Sequence, residues 1–236
     1  FAIWDEQKNI LFLARDRLGI KPLYFYNNDA FVFASEIKSI LAYPFYNKEI
    51  NEEALYHYLA LSASPAPTTL FKKIHKLEPG HFLKVNKNGD IEKHCYWEPK
   101  VDNDIKKLSE IELKDKIIDL LKESIKLRTM SEVPFGAFLS GGVDSSLNVA
   151  LMSEVVETKI KTFSVGIEGD RMYNELNNAE FVAKAFNTDH FSSTITKNEF
   201  IGSLNDIVKF QDEPLADPSC LNVLYISRLA NKHGIK

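Results

Sequence analysis

The chain has 236 residues, 44% of them hydrophobic and 26% charged, which is ordinary for a soluble globular protein and leaves room for one large domain or two modest ones. Its formal net charge of −4 argues against a nucleic-acid binder, which usually carries a basic excess. No apolar run approaches the ~18 residues of a membrane-spanning helix, and Phe1–Asp5 lacks the basic start and long apolar core of a signal peptide.

Residues 1–34 read as a β-meander. Phe1–Asp5, Ile10–Arg15, Pro22–Tyr26 and Ala30–Ala34 are short aromatic and β-branched runs separated by turn-forming stretches. Ser35–Leu41 fits a short helix. Asn51–Leu61 fits a second, with Asn51 as its cap and Leu55, Tyr58 and Leu59 on one apolar face. The prolines of Ser62–Thr69 predict a loop, and Pro79-Gly80 a turn. His81–Val85 and Ile91–Trp97 predict a hairpin around Asn88-Gly89-Asp90. Residues 98–109 are polar, lack helical periodicity and read as a linker between a first domain over 1–97 and a second over 110–236.

Ser109 can cap a helix from Glu110 to Met130, where Ile111, Ile117, Ile118, Leu121 and Ile125 recur at helical spacing. Strand and helix then alternate: Phe135–Leu139 into Ser145–Val156, Lys161–Gly166 into Asn174–Phe186, and His190–Ile195 into Asn198–Phe210. The expected fold class is α+β followed by α/β, with a parallel sheet covered by helices in the second part. Ligands of such sheets sit beyond the carboxyl ends of the strands, where Ser140–Ser146 and Val165–Gly169 lie.

Ser140-Gly141-Gly142-Val143-Asp144-Ser145-Ser146 is the most informative stretch. Paired glycines let backbone N–H groups approach an anion with no Cβ in the way, and the helix start adds partial positive charge and unpaired donors. Three serine hydroxyls add further donors. A carboxylate, Asp144, makes sense among phosphate binders mainly as a ligand of Mg²⁺. No lysine follows the glycines, so this is not a Walker A loop. A plain turn capped by Asp and Ser is the competing reading. Cys95, Cys220 and the six His residues show no metal-ligand spacing, and two thiols in a chain this size suggest a reducing, cytoplasmic setting.

Ser140–Ser146 resembles the pyrophosphate loop of the ATP pyrophosphatase superfamily. Ala14-Arg15-Asp16-Arg17-Leu18-Gly19-Ile20-Lys21-Pro22-Leu23-Tyr24, with Phe33-Ala34-Ser35-Glu36-Ile37-Lys38, resembles the later part of a class II (N-terminal-nucleophile) glutamine amidotransferase domain. Asp212-Glu213-Pro214 with Asp217-Pro218-Ser219 completes the set. In this order the three resemble the glutamine-hydrolysing asparagine synthetase family, as do Pro65-Ala66-Pro67-Thr68 and Lys76–His81.

The resemblance implies the remnant of a glutaminase sandwich followed by the first half of a synthetase domain. It implies ammonia release from glutamine in one domain, adenylation of the aspartate β-carboxylate by Mg-ATP in the other, and attack of ammonia on the acyl-adenylate. ATP and Mg²⁺ are the implied cofactors; aspartate, glutamine or ammonia are the implied substrates. A homodimer is compatible with it; nucleic acid and membrane are not among its partners. Ser140, Gly141, Gly142, Ser145 and Ser146 would cradle pyrophosphate and Asp144 would bind Mg²⁺. Leu139 and Val165 would line the adenine pocket, although both also suit core strands. Asp212, Glu213 and Asp217 would lie near the second half of the site, although Asp217-Pro218 also reads as an ordinary helix start. Arg15, Asp16 and Glu36 are expected in structural ion pairs.

The family's nucleophilic N-terminal Cys and its second Ser-Gly-x-Gly loop have no counterpart in residues 1–236. A start at Phe1 inside a strand and an end at Lys236 without a closing element point to a fragment. Residues 1–236 alone are expected to bind ATP weakly, to leave glutamine intact and not to turn over. Relatives that amidate or cyclise another carboxylate, such as β-lactam synthetases and lasso-peptide cyclases, share the loop, and a non-catalytic homologue is a further alternative.

Overall fold

A computed structural model describes residues 1–169, 175–217 and 219–235. The chain divides into two compact units, the first comprising Phe1–Val101 with Val208–Asp217 and the second Asp102–Ile207 with Pro218–Lys236.

The first unit holds strands β1 (Ala2–Asp5), β2 (Ile10–Ala14), β3 (Tyr24–Asn27), β4 (Phe31–Ala34), β5 (Ile74–Lys76), β6 (His81–Asn86) and β7 (Ile91–Cys95), and helices α1 (Ile37–Leu41) and α2 (Glu52–Leu61). The first four strands do not form a meander. β1 and β2 join β6 and β7 in a sheet of order β1-β2-β6-β7, while β3 and β4 join β5 in a second sheet of order β4-β3-β5. The reason lies in side-chain alternation. Phe25 packs against the cluster of Leu13, Leu23, Leu77, Leu83 and Val85, which draws on both sheets. Its neighbour Tyr26 faces the other way, into a cluster with Ile37, Ile40, Tyr46 and Ile74 under α1. A strand buried on both faces needs a sheet on one side and a helix on the other. β5 was not expected from the sequence, because its three residues, Ile-His-Lys, carry no strand pattern of their own.

Arg15 and Asp16 are structural, as expected, but through the backbone and not as an ion pair. The Arg15 guanidinium donates to the carbonyls of Lys21 (2.9 Å), Leu77 (2.6 Å) and Gly19 (2.8 Å). Asp16 accepts from the N–H groups of Leu18, Ile20 and Lys21. Those bonds, that from Lys21 foremost, hold its carboxyl below the usual range. Glu36 does pair with a cation, Lys38, at 3.4 Å.

The second unit opens with a 3-10 turn at Ile105–Lys107, inside the segment read as linker. α3 (Glu110–Thr129) follows, capped by the reciprocal Ser109–Glu112 box. The alternating part is β8 (Gly136–Phe138), α4 (Val143–Val155), β9 (Lys161–Ile167), α5 (Leu176–Ala185) and β10 (Asp189–Ile195), then α6 (Lys197–Gly202), α7 (Leu204–Phe210, of which Val208–Phe210 fall in the first unit) and α8 (Ser219–Lys232). The three strands form a parallel sheet of order β10-β9-β8, as the alternation predicts. Leu139, Val149, Ala179 and Ala183 pack α4 and α5 onto it. Each large apolar side chain buried here, such as Leu139 or Phe163, contributes about 1.5–3 kcal/mol.

The predicted helix over Asn198–Phe210 is two helices. Gly202 weakens the middle, and the Ser203 hydroxyl donates to Glu199 O at 2.9 Å, closing α6 while its carbonyl starts α7. Asn174 and Pro218, read as part of two helix starts, lie outside the described residues.

Candidate functional site

β8 delivers the chain to the Gly-rich loop. Leu139 is buried: its N–H donates to Phe163 O at 2.8 Å and its carbonyl accepts from the buried Ser164 hydroxyl. The loop therefore leaves the sheet from a fixed point. Gly141 then turns through φ +81°, a conformation only glycine adopts without strain. A Cβ there would lie 2.5 Å from Asn178 Cβ and 2.6 Å from Ala179 N, so the loop lies directly on the start of α5.

α4 begins at Val143, earlier than the Ser145 expected from the sequence, with Gly142 as its N-cap. A glycine cap brings no side chain, so the first-turn N–H groups of Val143, Asp144 and Ser145 have no carbonyl within the helix. The loop is held in shape by its own polar atoms. Ser140 Oγ lies 2.9 Å from Ser145 Oγ and accepts from Gly142 N at 3.2 Å. Ser145 Oγ also lies 3.2 Å from Gly142 O and 3.3 Å from Ser140 N. The result leaves the first-turn N–H groups of α4 open at an uncapped helix start, beside a cluster of serine hydroxyls, which suits an anion. The earlier helix start places Asp144 in the first turn of α4, where its charge is favoured by the helix dipole. It is exposed and makes no ion pair or hydrogen bond among the described residues.

A cavity of about 300 Å³ adjoins the loop. Ser140, Ser145, Ser164, Glu175, Ser219 and Asn222 give its polar lining, and Leu139, Val165, Leu176, Val223 and Ile226 its apolar walls. The structure thus brings Leu139, Ser140, Ser145 and Val165 to one cavity, with Gly141, Gly142, Asp144 and Ser146 on the adjoining loop and first turn. The sequence reading missed Ser164, Leu176 and the α8 residues Asn222, Val223 and Ile226. Apolar spacing along Ser219–Lys232 was the available signal for α8, but nothing local says that it returns to the loop.

Asp212 and Glu213 are placed elsewhere, in the segment that belongs to the first unit. Asp212 accepts from Ile37 N at 2.7 Å and Lys38 N at 3.2 Å, capping α1, whose own N-cap residue Glu36 makes no cap bond. Glu213 accepts from Leu70 N at 2.6 Å and pairs with Lys76 at 2.7 Å, where the two side chains are only 16% and 11% exposed. Burial, then these two carboxylates, push the Tyr24 hydroxyl above its usual range. Asp217 is exposed at the end of the segment.

The pair gives a direct test. Glu213→Gln should lower unfolding stability by about 2 kcal/mol, short of the roughly 3–5 kcal/mol of a fully buried pair, because Lys76 keeps an unpaired charge. Adding Lys76→Met should recover most of that loss in urea unfolding. An unchanged midpoint in Glu213→Gln would show that the pair is not structural.

Two family models match the chain: asparagine synthase over residues 116–236 and a glutamine amidotransferase domain over residues 1–97. The chain belongs to the asparagine synthase family. The family read from its motifs is therefore the one that the whole chain supports. Asparagine synthetase [glutamine-hydrolyzing] 1 of Bacillus subtilis (strain 168) is 36% identical over 234 residues, 99% of this chain and 36% of that protein. A putative asparagine synthetase [glutamine-hydrolyzing] 2 of Methanocaldococcus jannaschii is 38% identical over 240 residues, 98% of this chain and 45% of that protein. Amidase chry2 of Gibberella zeae is 27% identical over 253 residues, 100% of this chain and 37% of its own length. The chain spans less than half the length of each of these asparagine synthase relatives.

Proposed function

We propose that the complete protein makes asparagine from aspartate, using ATP for activation and ammonia released from glutamine by the part containing residues 1–97. The observation that carries this reading is the strand–loop–helix at Ser140–Ser146 beside an apolar cavity, in a chain of the asparagine synthase family. A carboxylate is a poor electrophile toward ammonia. An aspartate β-carboxylate oxygen attacks the α-phosphorus of ATP, the α–β bridging bond breaks, and pyrophosphate leaves. Ammonia nitrogen then attacks the β-acyl carbon, AMP leaves, and the nitrogen loses a proton to give the amide.

In the first step negative charge moves onto pyrophosphate. The N–H groups of Gly141, Gly142 and the first turn of α4, with the hydroxyls of Ser140, Ser145 and Ser146, would hold that charge and keep the leaving group in line. Leu139 and Val165 would seat the adenine against hydrocarbon. The donor set also fits Mg²⁺, which is commonly held by one or two carboxylates together with substrate phosphates. Asp144 supplies one exposed carboxylate beside the phosphate donors, and the described residues contain no rival group of three or more metal ligands. When bound, Mg²⁺ would neutralise phosphate charge. Asp212 and Glu213 are assigned to holding the first unit together, on the strength of their partners.

The test is amide formation by the complete protein with Mg-ATP, ammonium and a panel of carboxylic acids. Aspartate should be the acid that supports turnover. Turnover with a different acid, and none with aspartate, would favour a second reading: a family member acting on another carboxylate.

A further inference from the structure

Beneath α5 lies a titratable side chain that the loop chemistry does not use. Ala137, Thr162 and His190 stand side by side across β8, β9 and β10, so their side chains share one face of the sheet. Ala137 packs against the cluster of Leu139, Val149, Ala179 and Ala183, so this is the face that α4 and α5 cover. Thr162 is fully buried, and its Oγ1 lies 2.7 Å from Thr188 Oγ1 and 3.0 Å from His190 Nδ1. Thr188 N donates to Ala183 O at 3.0 Å, which ties this relay to the end of α5. The second ring nitrogen, His190 Nε2, is buried and has no hydrogen-bond partner. A neutral imidazole tolerates that arrangement: with its proton on Nδ1 it donates to Thr162, and Nε2 keeps a bare lone pair. An imidazolium does not, because Nε2 then carries an N–H with nothing to receive it.

The charged surroundings do not rescue the proton. Burial holds the His190 ring below its usual range, and the Glu180 carboxylate of α5 opposes this only in part. Glu180 is itself engaged by Lys184 at 2.7 Å. Lys161 donates to His233 O on the opposite face, where His233 stacks on Phe191, and Asp189 pairs with Lys159 at 2.6 Å. The start of α5 is also the seat of the Gly-rich loop, since a Cβ on Gly141 would meet Asn178 and Ala179. We propose that His190 is an acid-sensitive latch on that seat: neutral, it lets α5 lie on the sheet under the loop; protonated, it favours a form in which α5 lifts, the ring meets water and the loop loosens. The latch belongs to the fold and stands whether or not the loop binds pyrophosphate. A ring exposed to water takes its proton near pH 6.5, the seated ring only at lower pH. The seated form is therefore unopposed above about pH 6.5. Below it, that form loses up to about tenfold per pH unit until the seated ring itself is protonated.

The experiment is amide hydrogen exchange of the complete protein at about pH 7.5 and about pH 5.5, read as protection factors so that the intrinsic pH dependence cancels. It uses the unaltered protein, His190→Asn, which keeps a polar partner for Thr162, and His190→Leu, which keeps the space filled. In the unaltered protein, protection over Leu176–Ala185 should fall by about three- to tenfold at the lower pH, and protection over Ser140–Ser146 should fall with it. In the variants the change should stay within about twofold. An equal fall in whichever variant folds, or no fall in the unaltered protein, overturns the latch. A fall in α5 with the loop unchanged overturns its link to the loop. Titration of the His190 ring followed by NMR needs no variant: the ring should take its proton at lower pH than free histidine, and titration at or above that of free histidine overturns the proposal.

Discussion

Asp144→Ala in the complete protein should slow pyrophosphate release by about 10²–10³-fold, the loss typical of removing one preorganised electrostatic contact from a reacting centre. Asp144 is exposed and makes no ion pair or hydrogen bond among the described residues, so its removal costs the fold little. What it costs is the carboxylate next to the open N–H groups of α4, which would hold Mg²⁺. Asp144→Asn should fall nearly as far, because the amide has the same shape without the charge. The check is steady-state kinetics across a range of Mg²⁺ concentrations, with circular dichroism as the control on folding. A variant with normal rates at limiting Mg²⁺ would remove Asp144 from the site.

Gly141→Ala should destabilise the second unit by about 2–5 kcal/mol. Two costs add: a left-handed conformation, about 1–2 kcal/mol for a residue with a Cβ, and overpacking, about 1–3 kcal/mol. The second cost is firm because the new methyl would sit 2.6 Å from the backbone nitrogen of Ala179, which cannot rotate away as a side chain could. The neighbouring Gly142 makes the contrast. Its φ is −72°, and a Cβ there meets only Ser140 Oγ at 3.3 Å. Gly142→Ala should therefore unfold at nearly the wild-type urea concentration, while Gly141→Ala unfolds well below it. Equal midpoints would mean that the loop does not lie on α5.

The parallel sheet was legible because each strand and its following helix announce themselves locally. Lys161–Ile167 is a β-branched and apolar run, and Leu176–Ala185 carries helical spacing. The loop was legible for the same reason: its chemistry is packed into seven consecutive residues. The pairing in the first unit was not legible, because β2 to β6 and β3 to β5 are contacts between segments far apart in sequence, and alternation says which face is apolar without saying what covers it. Asp212 and Glu213 show the same limit. The resemblance set them near the second half of the site, whereas the groups they bond, on Ile37, Leu70 and Lys76, lie more than a hundred residues away. The α8 residues at the cavity, Asn222, Val223 and Ile226, were not legible because nothing local says that this helix returns to the loop.

The most direct test of the central claim, that Ser140–Ser146 holds the pyrophosphate of ATP during carboxylate activation, is phosphorus NMR of the products formed by the complete protein with Mg-ATP, aspartate and ammonium. AMP and pyrophosphate in equal amounts, both dependent on aspartate, are the predicted result; ADP and inorganic phosphate would contradict it.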